Sequence, residues 1–266
     1  MVHYLFYMNI VQILIMISMD NPWDLKVSSE RSSETIFIFH LFCEDQNGEP
    51  LYFEQFDGQG VKIICHRKQK SMFKSLINTI VKCKEDGFLK KTETGYKLSN
   101  EGMAVWCVFD RDKGASGENI TEGDEEFDLV IKNSANQGIQ IAWSNDAFEL
   151  WILLHLMEIE LNDYENARDR KFYYEKLKFY FENHQNPNID LQKALKHTFG
   201  YKHSLKSEQN FKNIVLPEIS GKVAIAIERA KTLFQTHEME QDYSKKAPCT
   251  TVFQLVESIL EKKKIN

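Results

Sequence analysis

TIFIFHLFC at residues 35–43, followed by the acidic Glu44, is the stretch of sequence on which the fold depends. A nearly continuous apolar run of this length is typical of a strand that is covered on both faces, as in a parallel sheet. Three further runs have the same character, namely VKIIC at 61–65, AVWCVF at 104–109 and GIQIAW at 138–143. We therefore expect an α/β fold with a parallel sheet flanked by helices.

Helical patterns alternate with these strands. Residues 71–86 carry apolar side chains at helical spacing and end before Gly87, and a second helix is predicted through residues 127–131. The aromatic stretch 51–56 could form a short helix, and residues 88–102 are typical of a loop or small hairpin. The alternation predicts β-α-β units and an open sheet.

The last hundred residues are predicted to be helical. Asp146 and Glu149 form a capping-box pattern that opens a helix over 147–156. Further helices are expected at 165–183, 188–199, 217–236 and 251–264. The chain is thus divided into an N-terminal apolar arm at 1–35, a catalytic core at 36–160 and a helical extension, packed on the core, at 161–266.

The first nineteen residues are apolar and allow several interpretations. A membrane-spanning helix needs about 20 such residues, so the run could suggest a membrane segment. A secretory signal fits poorly, because no Lys or Arg precedes the run. Translation could begin at Met16 or Met19, in which case residues 1–18 would be an extension without a role. Alternatively, the apolar segment could form a buried hairpin or helix. No membrane association is expected.

Composition limits the class of protein. With 266 residues, 42% of them hydrophobic, the chain can bury a substantial core. The formal charge of −6 argues against a protein that coats nucleic acid through a wide basic surface, but it allows an acidic, metal-binding crevice. The five widely spaced cysteines indicate reduced, buried thiols and a cytoplasmic protein; they are Cys43, Cys65, Cys83, Cys107 and Cys249.

Acidic residues follow two of the predicted strands. Glu44 ends the first, and Asp110 and Asp112 follow 104–109. Ligands of an open parallel sheet gather beyond the carboxyl ends of its strands, so neighbouring strands would bring these three carboxylates together. Clustered carboxylates repel one another unless a cation neutralises them, and hard oxygen ligands suit Mg²⁺ or Mn²⁺. The sequence therefore predicts a metal site at Glu44, Asp110 and Asp112.

An Asp-x-Asp pair after a strand is a weak signal by itself. Phosphatases, receiver domains and sugar transferases use similar pairs, and a solvated acidic loop would look the same. A phosphatase with an aspartyl nucleophile fits less well, because its Asp pair would be expected on the first strand, where this chain has Glu44. The second acidic strand end is what favours a metal site.

Four segments resemble the RloB-like family of bacterial abortive-infection proteins. The run from Cys43 to Phe53 is similar to the family's opening, in which a strand ends in Cys-Glu-Gly and continues to Thr-Glu-Pro-x-Tyr-Phe. Residues 108–112 resemble its second block, residues 144–151 its third, and residues 250–256 its C-terminal element. The third block is the most specific of the four.

The resemblance implies a Toprim-like nuclease core. In that arrangement Glu44 would assist proton transfer or bind metal, and Asp110 and Asp112 would bind Mg²⁺ (or Mn²⁺). The implied activity is metal-dependent cleavage of a phosphodiester in DNA or RNA, as the effector of an anti-phage system. A partner ATPase encoded nearby is expected, and assembly into a homo-oligomer is left open.

The chain departs from the family pattern beside the predicted site. Asp45 replaces the family's glycine, and Asn47-Gly48 replaces its Lys-Thr. The loss of that lysine removes a phosphate contact, and Asp45 adds negative charge next to the metal. A catalytically weak, Toprim-fold regulatory subunit that binds an ATPase or nucleic acid is therefore the alternative function.

Five further residues are candidates for the site. Glu149 is a candidate catalytic residue, although its capping position gives it a structural alternative. Ser144 and Asn145, on a strand-to-helix turn, could contact phosphate or cap the helix. Arg111, which strand geometry turns away from the carboxylates, and Glu49, for which a surface ion pair is favoured, complete the candidate substrate-binding set.

Two other features have a structural explanation beside the functional one. His155 is interpreted as a hydrogen-bonded core histidine rather than a catalyst. The predicted helix 165–183 interleaves basic with aromatic residues, a combination that can bind a nucleic acid strand. A helix with one packed aromatic face and one solvated basic face would give the same pattern, and that interpretation is favoured.

Overall fold

The structure is a computed structural model that describes residues 36–69, 72–111, 120–159, 169–184 and 187–265. Three sequence-based predictions lie outside these residues: the apolar arm at 1–35, the metal ligand Asp112 and the first residues of the helix predicted at 165–183.

A five-stranded sheet forms the centre of the fold, with the strand order β2-β1-β5-β6-β7. Its strands are β1 (Phe37–Cys43), β2 (Val61–His66), β5 (Met103–Asp110), β6 (Gln140–Asn145) and β7 (Cys249–Thr250). The first four are parallel, and β7 runs antiparallel to β6. A separate hairpin joins β3 (Leu89–Lys91) to β4 (Tyr96–Leu98). The predicted α/β class with a mostly parallel sheet is confirmed.

Eight helices accompany these strands in the described residues, together with several short helical turns. The helices are α1 (Gly48–Glu54), α2 (Met72–Glu85), α3 (Ile120–Ser134), α4 (Glu149–Leu156), α5 (Arg170–Asn183), α6 (Ile189–Ala194), α7 (Val223–Thr236) and α8 (Val252–Ile265). The short turns are Tyr201–Leu205, Glu208–Asn210, Phe211–Val215, Leu216–Ile219, Ser220–Lys222 and Tyr243–Lys245. The C-terminal region is thus mainly helical, as predicted.

Two local predictions are wrong. The capping box at Asp146 and Glu149 does not form: α4 begins at Glu149 after Phe148 and has no side-chain cap, because Asp146 instead pairs with Arg111. The C-terminal region is also not wholly helical, since Cys249–Thr250 adds β7 to the sheet. A two-residue strand is too short to show periodicity in the sequence.

Both faces of the sheet are buried, which explains the continuous apolar runs of its strands. In β1, Phe39 and Leu41 pack on one face with α1, α4 and the C-terminal helices. Phe42, on the other face, belongs to a second core cluster with residues of α2 and α3, such as Leu76 and Phe127. Helices on both faces leave the strand ends as the place where polar side chains can gather.

The strand order reverses between β1 and β5, and we call the region at the carboxyl ends of these two strands the crevice. β1 and β5 are neighbours, and from this pair the chain builds outward in opposite directions, to β2 on one side and to β6 on the other. Crevices that bind ligands form at such a reversal, beyond the carboxyl ends of the strands.

Two further observations concern the described residues. Each cysteine is a free thiol, and all are buried except Cys65, which is partly buried. Within the same ranges, every helix is too short or too polar to cross a lipid bilayer.

Candidate functional site

Glu44 and Asp110 meet at the carboxyl ends of the two central strands. The parallel register pairs Cys43 with Val108, and the Glu44 backbone N–H donates to the Val108 carbonyl at 3.3 Å. The Asp110 backbone N–H donates in turn to Glu44 Oε2, also at 3.3 Å. The structure therefore brings together the two acidic strand ends that the sequence placed 66 positions apart.

The Asp110 carboxylate is almost buried and only half satisfied. Its Oδ2 accepts a hydrogen bond from Arg170 Nη2 at 3.2 Å, whereas Oδ1 is buried and accepts none from the described residues. Burial raises the pKa of Asp110 well above its usual range; Glu149 and Glu44 add to the rise, while Arg170 and a backbone hydrogen bond from Phe148 oppose it. Such a group is stabilised by a bound cation.

Glu49 and Glu149 belong to the same cluster, and Glu49 is the more completely buried of the two. Glu49, 1% exposed, accepts a hydrogen bond from the Asp45 backbone N–H at 3.1 Å. Burial raises its pKa well above the usual range, with a further rise from the charges of Asp110 and Glu44. The surface ion pair favoured for Glu49 is therefore not what the structure shows, because its side chain is buried beside the predicted metal carboxylates.

Lys206 is the cation that the sequence analysis missed. Its Nζ lies 2.8 Å from Glu149 Oε1 and 3.1 Å from Asp45 Oδ2, and its carbonyl accepts from Asn47 Nδ2 at 3.1 Å. Although burial opposes the charged form, Glu149 and Asp45 together raise the pKa of Lys206 above its usual range. No periodic or motif signal marks this lysine, which reaches the crevice from the short turns of the C-terminal region.

Asp45 is held by the same lysine and by the backbone. Burial would raise its pKa, but Lys206 and backbone N–H groups lower it below the usual value. Its carboxylate accepts from the N–H groups of Gln46 and Gly48 at 2.6 and 3.2 Å. The added negative charge at this departure from the family pattern is therefore balanced by Lys206.

Arg111 belongs to a buried ion-pair network rather than to the carboxylate cluster. Its Nη1 lies 2.8 Å from Asp146 Oδ1 and donates to Asn145 Oδ1 at 3.1 Å. Nε and Nη2 contact Asp124 of α3. The guanidinium joins α3 to the end of β6, so these contacts favour a structural role over the predicted contact with substrate.

Ser144 and Asn145 are also engaged internally. Ser144 Oγ lies 3.0 Å from Thr250 Oγ1. Asn145 Nδ2 donates to the carbonyls of Tyr243, Ser244 and Lys246 at 3.2, 2.9 and 3.0 Å. Both side chains are buried, so the geometry favours attachment of the C-terminal region to β6, and phosphate binding by this pair stays a prediction.

His155 is a buried, hydrogen-bonded histidine, as predicted. Its Nδ1 donates to the Trp151 carbonyl at 2.8 Å, and its Nε2 lies 3.1 Å from the Tyr52 hydroxyl. Burial lowers the pKa of His155 to about 4. The ring is therefore neutral at physiological pH. Neither of these two hydrogen bonds joins it to the clustered carboxylates.

The acidic cluster is suited to a hard divalent cation. Among the described residues it combines five carboxylates with the two cations Arg170 and Lys206; the carboxylates are those of Glu44, Asp45, Glu49, Asp110 and Glu149. Within those residues no three His, Cys, Asp or Glu side chains are close enough to form a complete metal site, and the predicted third ligand, Asp112, is not described. Mg²⁺ needs only one or two carboxylates besides water and phosphate. Asp110, with its unsatisfied Oδ1, and Glu44, which accepts from the Asp110 N–H, fit such an ion.

The fold and the site together define a class of protein: a mixed α/β protein with an acidic crevice at the switch point of a mostly parallel sheet. A family model described as RloB-like protein matches residues 39–259. This is most of the chain, which therefore belongs to the RloB-like family. No curated protein and no solved structure gives a significant match.

Proposed function

We propose that this RloB-like protein is a metal-dependent nuclease that cleaves phosphodiester bonds in DNA or RNA through a Toprim-like core. The observation that carries the proposal is the meeting of Glu44 and Asp110 at the carboxyl ends of β1 and β5, where one buried Asp110 oxygen accepts no hydrogen bond from the residues that the structure describes. The sheet order is consistent with a Toprim-like arrangement.

The proposed ligands are Glu44, Asp110 and Asp112. When bound there, Mg²⁺ or Mn²⁺ would polarise the phosphodiester and stabilise the leaving oxygen. The chain's own residues supply the surrounding electrostatics. Asp110 is held at Oδ2 by Arg170, and Glu44 is oriented by the Asp110 backbone N–H, so both carboxylates have a fixed geometry before substrate arrives.

Glu44 is the residue best placed to hold or move a proton. It ends its strand at a partly exposed position, whereas Glu49 and Glu149 behind it are almost fully buried. A carboxylate with access to water can take a proton from a nucleophile, and neighbouring negative charge raises its basicity. Glu149, fixed by Lys206, is assigned to orienting the cluster.

The biological setting of the proposal follows from the family resemblance. We propose that cleavage serves anti-phage defence by abortive infection, that the protein acts in the cytoplasm, and that an ATPase encoded nearby is its partner. Among the described residues the carboxylates of the crevice outnumber the cations, so we expect a metal ion to be needed before a phosphodiester can bind.

The test is cleavage of plasmid DNA, single-stranded DNA and total RNA by the purified full chain with Mg²⁺ or Mn²⁺. Glu44→Gln and Asp110→Asn should each lower the rate at least 100-fold without loss of fold, because each removes a ligand charge. Glu85→Gln, an exposed acid on α2, is the matched control and should cleave like wild type.

The alternative, a regulatory subunit of the same fold, is tested by that cleavage experiment together with a measurement of phage defence. It is supported by the pairing of Asp110 with Arg170 and of Glu149 with Lys206, which neutralises part of the cluster without metal. An absence of cleavage by wild type with the neighbouring ATPase present, together with Asp110→Asn retaining defence, would favour this function over the nuclease.

A further inference from the structure

One side of α5 faces the acidic crevice. Tyr173, Leu177 and Phe181 anchor the helix in the core. Arg170 and Tyr174 are four residues apart, so they lie on the same side of the helix, one turn from each other. Arg170 reaches Asp110 at 3.2 Å and is 32% exposed, so its guanidinium lies between the proposed metal carboxylate and solvent.

Tyr174 lies among the charges of the same crevice. Its half-buried ring stacks on the buried Tyr201, with centroids 5.9 Å apart and planes inclined by 26°. Burial raises the pKa of Tyr174 to about 12, and the nearby charges of Glu149, Lys206 and Arg170 act on the same hydroxyl. The crevice wall therefore presents a neutral aromatic side chain next to a guanidinium.

We infer that Arg170 and Tyr174 form the strand-binding wall of the crevice, where Arg170 binds a backbone phosphate and Tyr174 stacks on the adjacent base. The inference rests on the proposed nuclease function and deepens it, because it gives the substrate class as a nucleic acid strand with an unpaired nucleotide at the site.

The chemistry of the two residues supports this division of roles. A guanidinium is planar and matches the oxygens of a phosphate in a bidentate contact. An aromatic ring accepts any base by stacking but needs the base to be out of a duplex. Lys206 lies within 3.1 Å of two carboxylates, whereas Arg170 pairs with Asp110 and is the more exposed of the two cations. Lys206 is therefore assigned to clamping Asp45 and Glu149 rather than to substrate.

The experiment is binding of fluorescein-labelled 12-mers, both single-stranded and duplex, measured by fluorescence anisotropy with the full chain. EDTA prevents cleavage, and a second series with Mg²⁺ uses the Glu44→Gln background. Arg170→Gln should weaken single-strand binding and lower the slope of log K against log salt by about 0.7, the value for one lost phosphate contact. Lys171→Gln, which removes an exposed cation from the same helix, should leave affinity within twofold.

Tyr174 is tested with a pair of variants. Tyr174→Leu should weaken single-strand binding on the order of tenfold, whereas Tyr174→Phe should bind like wild type, because only the ring is needed for stacking. Circular dichroism checks that each variant is folded. If Tyr174→Leu does not fold, the salt slope of Arg170→Gln and its recovery in Arg170→Lys decide the outcome.

Failure of the inference is separable from failure of the proposed function. If Arg170→Gln and Tyr174→Leu both bind with wild-type affinity, Arg170 and Tyr174 do not form the strand-binding wall, even if the enzyme cleaves with metal. A preference of the wild-type protein for duplex over single strand would also contradict the inference. Binding that depends on Arg170 and Tyr174, without any metal-dependent cleavage, would support the strand-binding wall and contradict the proposed nuclease function.

Discussion

Ionisation of the buried Glu49 side chain is expected to lower the free energy of unfolding. It is 1% exposed, and its neighbours include Glu44 and Asp110. A carboxyl group whose pKa is raised by folding contributes its stability at low pH and loses it as the pH rises through the folded pKa. Wild type should therefore lose stability from this group above about pH 4.5, the usual Glu pKa.

Glu49→Gln should raise the free energy of unfolding by about 1 kcal/mol or more at pH 8. The amide oxygen can still accept the hydrogen bond from the Asp45 N–H, and the buried charge is gone. Urea unfolding in EDTA at pH 5 and pH 8 measures the effect, which should be larger at pH 8. An equal gain at both pH values, or a loss at pH 8, would contradict the predicted cost of burying this charge.

His155 makes the opposite pH contribution. Its pKa falls from 6.5 to about 4 on folding because the ring is buried, so the unfolded chain takes up the proton first. The stability it contributes is present above pH 6.5 and is lost as the pH falls toward 4. Compared with pH 7.5, wild type at pH 4.5 should lose between about 2 and 3 kcal/mol from this residue alone, since one pKa unit corresponds to about 1.4 kcal/mol.

His155→Gln removes that titration while leaving an amide that can bond to Tyr52. Urea unfolding of both proteins at the two pH values separates His155 from the other acid-sensitive groups. The variant should be less stable than wild type at pH 7.5, because the core hydrogen bonds change, but its stability should depend less steeply on pH. If the stabilities of the two proteins depend on pH equally steeply, His155 is not a buried ring that stays neutral in the folded protein.

The sequence predicts which side chains meet at the site where their position along a strand determines their location. Glu44 and Asp110 could be paired in advance, because each directly follows a buried strand and parallel strands end at one edge. Lys206 could not, since its link to Glu149 and Asp45 is a tertiary contact from an irregular region. Arg170 lies on the helix in which the sequence interleaves basic with aromatic residues, but nothing in that pattern predicts its ion pair with Asp110.

At the scale of elements, the end of β6 is a junction between the sheet and the C-terminal region. Asn145 donates to three carbonyls within residues 243–246 and accepts from Arg111. Buried amides that satisfy several partners are costly to remove, because each partner is left unpaired in the core. The side chain therefore fixes the segment that leads into β7.

Asn145→Ala should lower the free energy of unfolding by about 2–4 kcal/mol, since it removes three hydrogen bonds to buried carbonyls and one from the buried Arg111 guanidinium. Ser144→Ala is the matched control on the adjacent position and should cost only about 1 kcal/mol, because it loses the single contact with Thr250. Thermal unfolding with circular dichroism measures both. Near-native stability of Asn145→Ala combined with weakened nucleic acid binding would instead support the predicted role in substrate binding.

The elements themselves were predictable where apolar periodicity was long and regular. The four predicted strands coincide with β1, β2, β5 and β6 to within two residues at each end. The helix predicted over 217–236 is divided at Ser220–Lys222, and β7 was missed. The sequence pattern of a two-residue strand is indistinguishable from that of a turn, so only its pairing with β6 identifies it.

At the scale of the whole molecule, the sheet and the C-terminal helices share one core. Leu41 and Trp106 of the central strands belong to the same buried cluster as residues of the C-terminal region. That region contributes to the cluster Tyr173, Leu177, Phe181, Tyr201, Phe211, Ile214, Val252, Leu255 and Val256. The sequence-based boundary at residue 160 separates strand-rich from helix-rich sequence, but it passes through this core.

A chain that ends after residue 160 should therefore fail to fold by itself. It lacks β7, the Arg170 and Lys206 contacts of the crevice, and the helices that cover one face of the sheet. Exposure of that apolar face would favour aggregation. Expression of residues 1–160 beside the full chain, compared by soluble fraction and by cooperative thermal unfolding, tests the expectation. A soluble fragment with cooperative unfolding would show that the strand-rich part is an independent domain, and the acidic crevice would then have to keep its geometry without either of its cations.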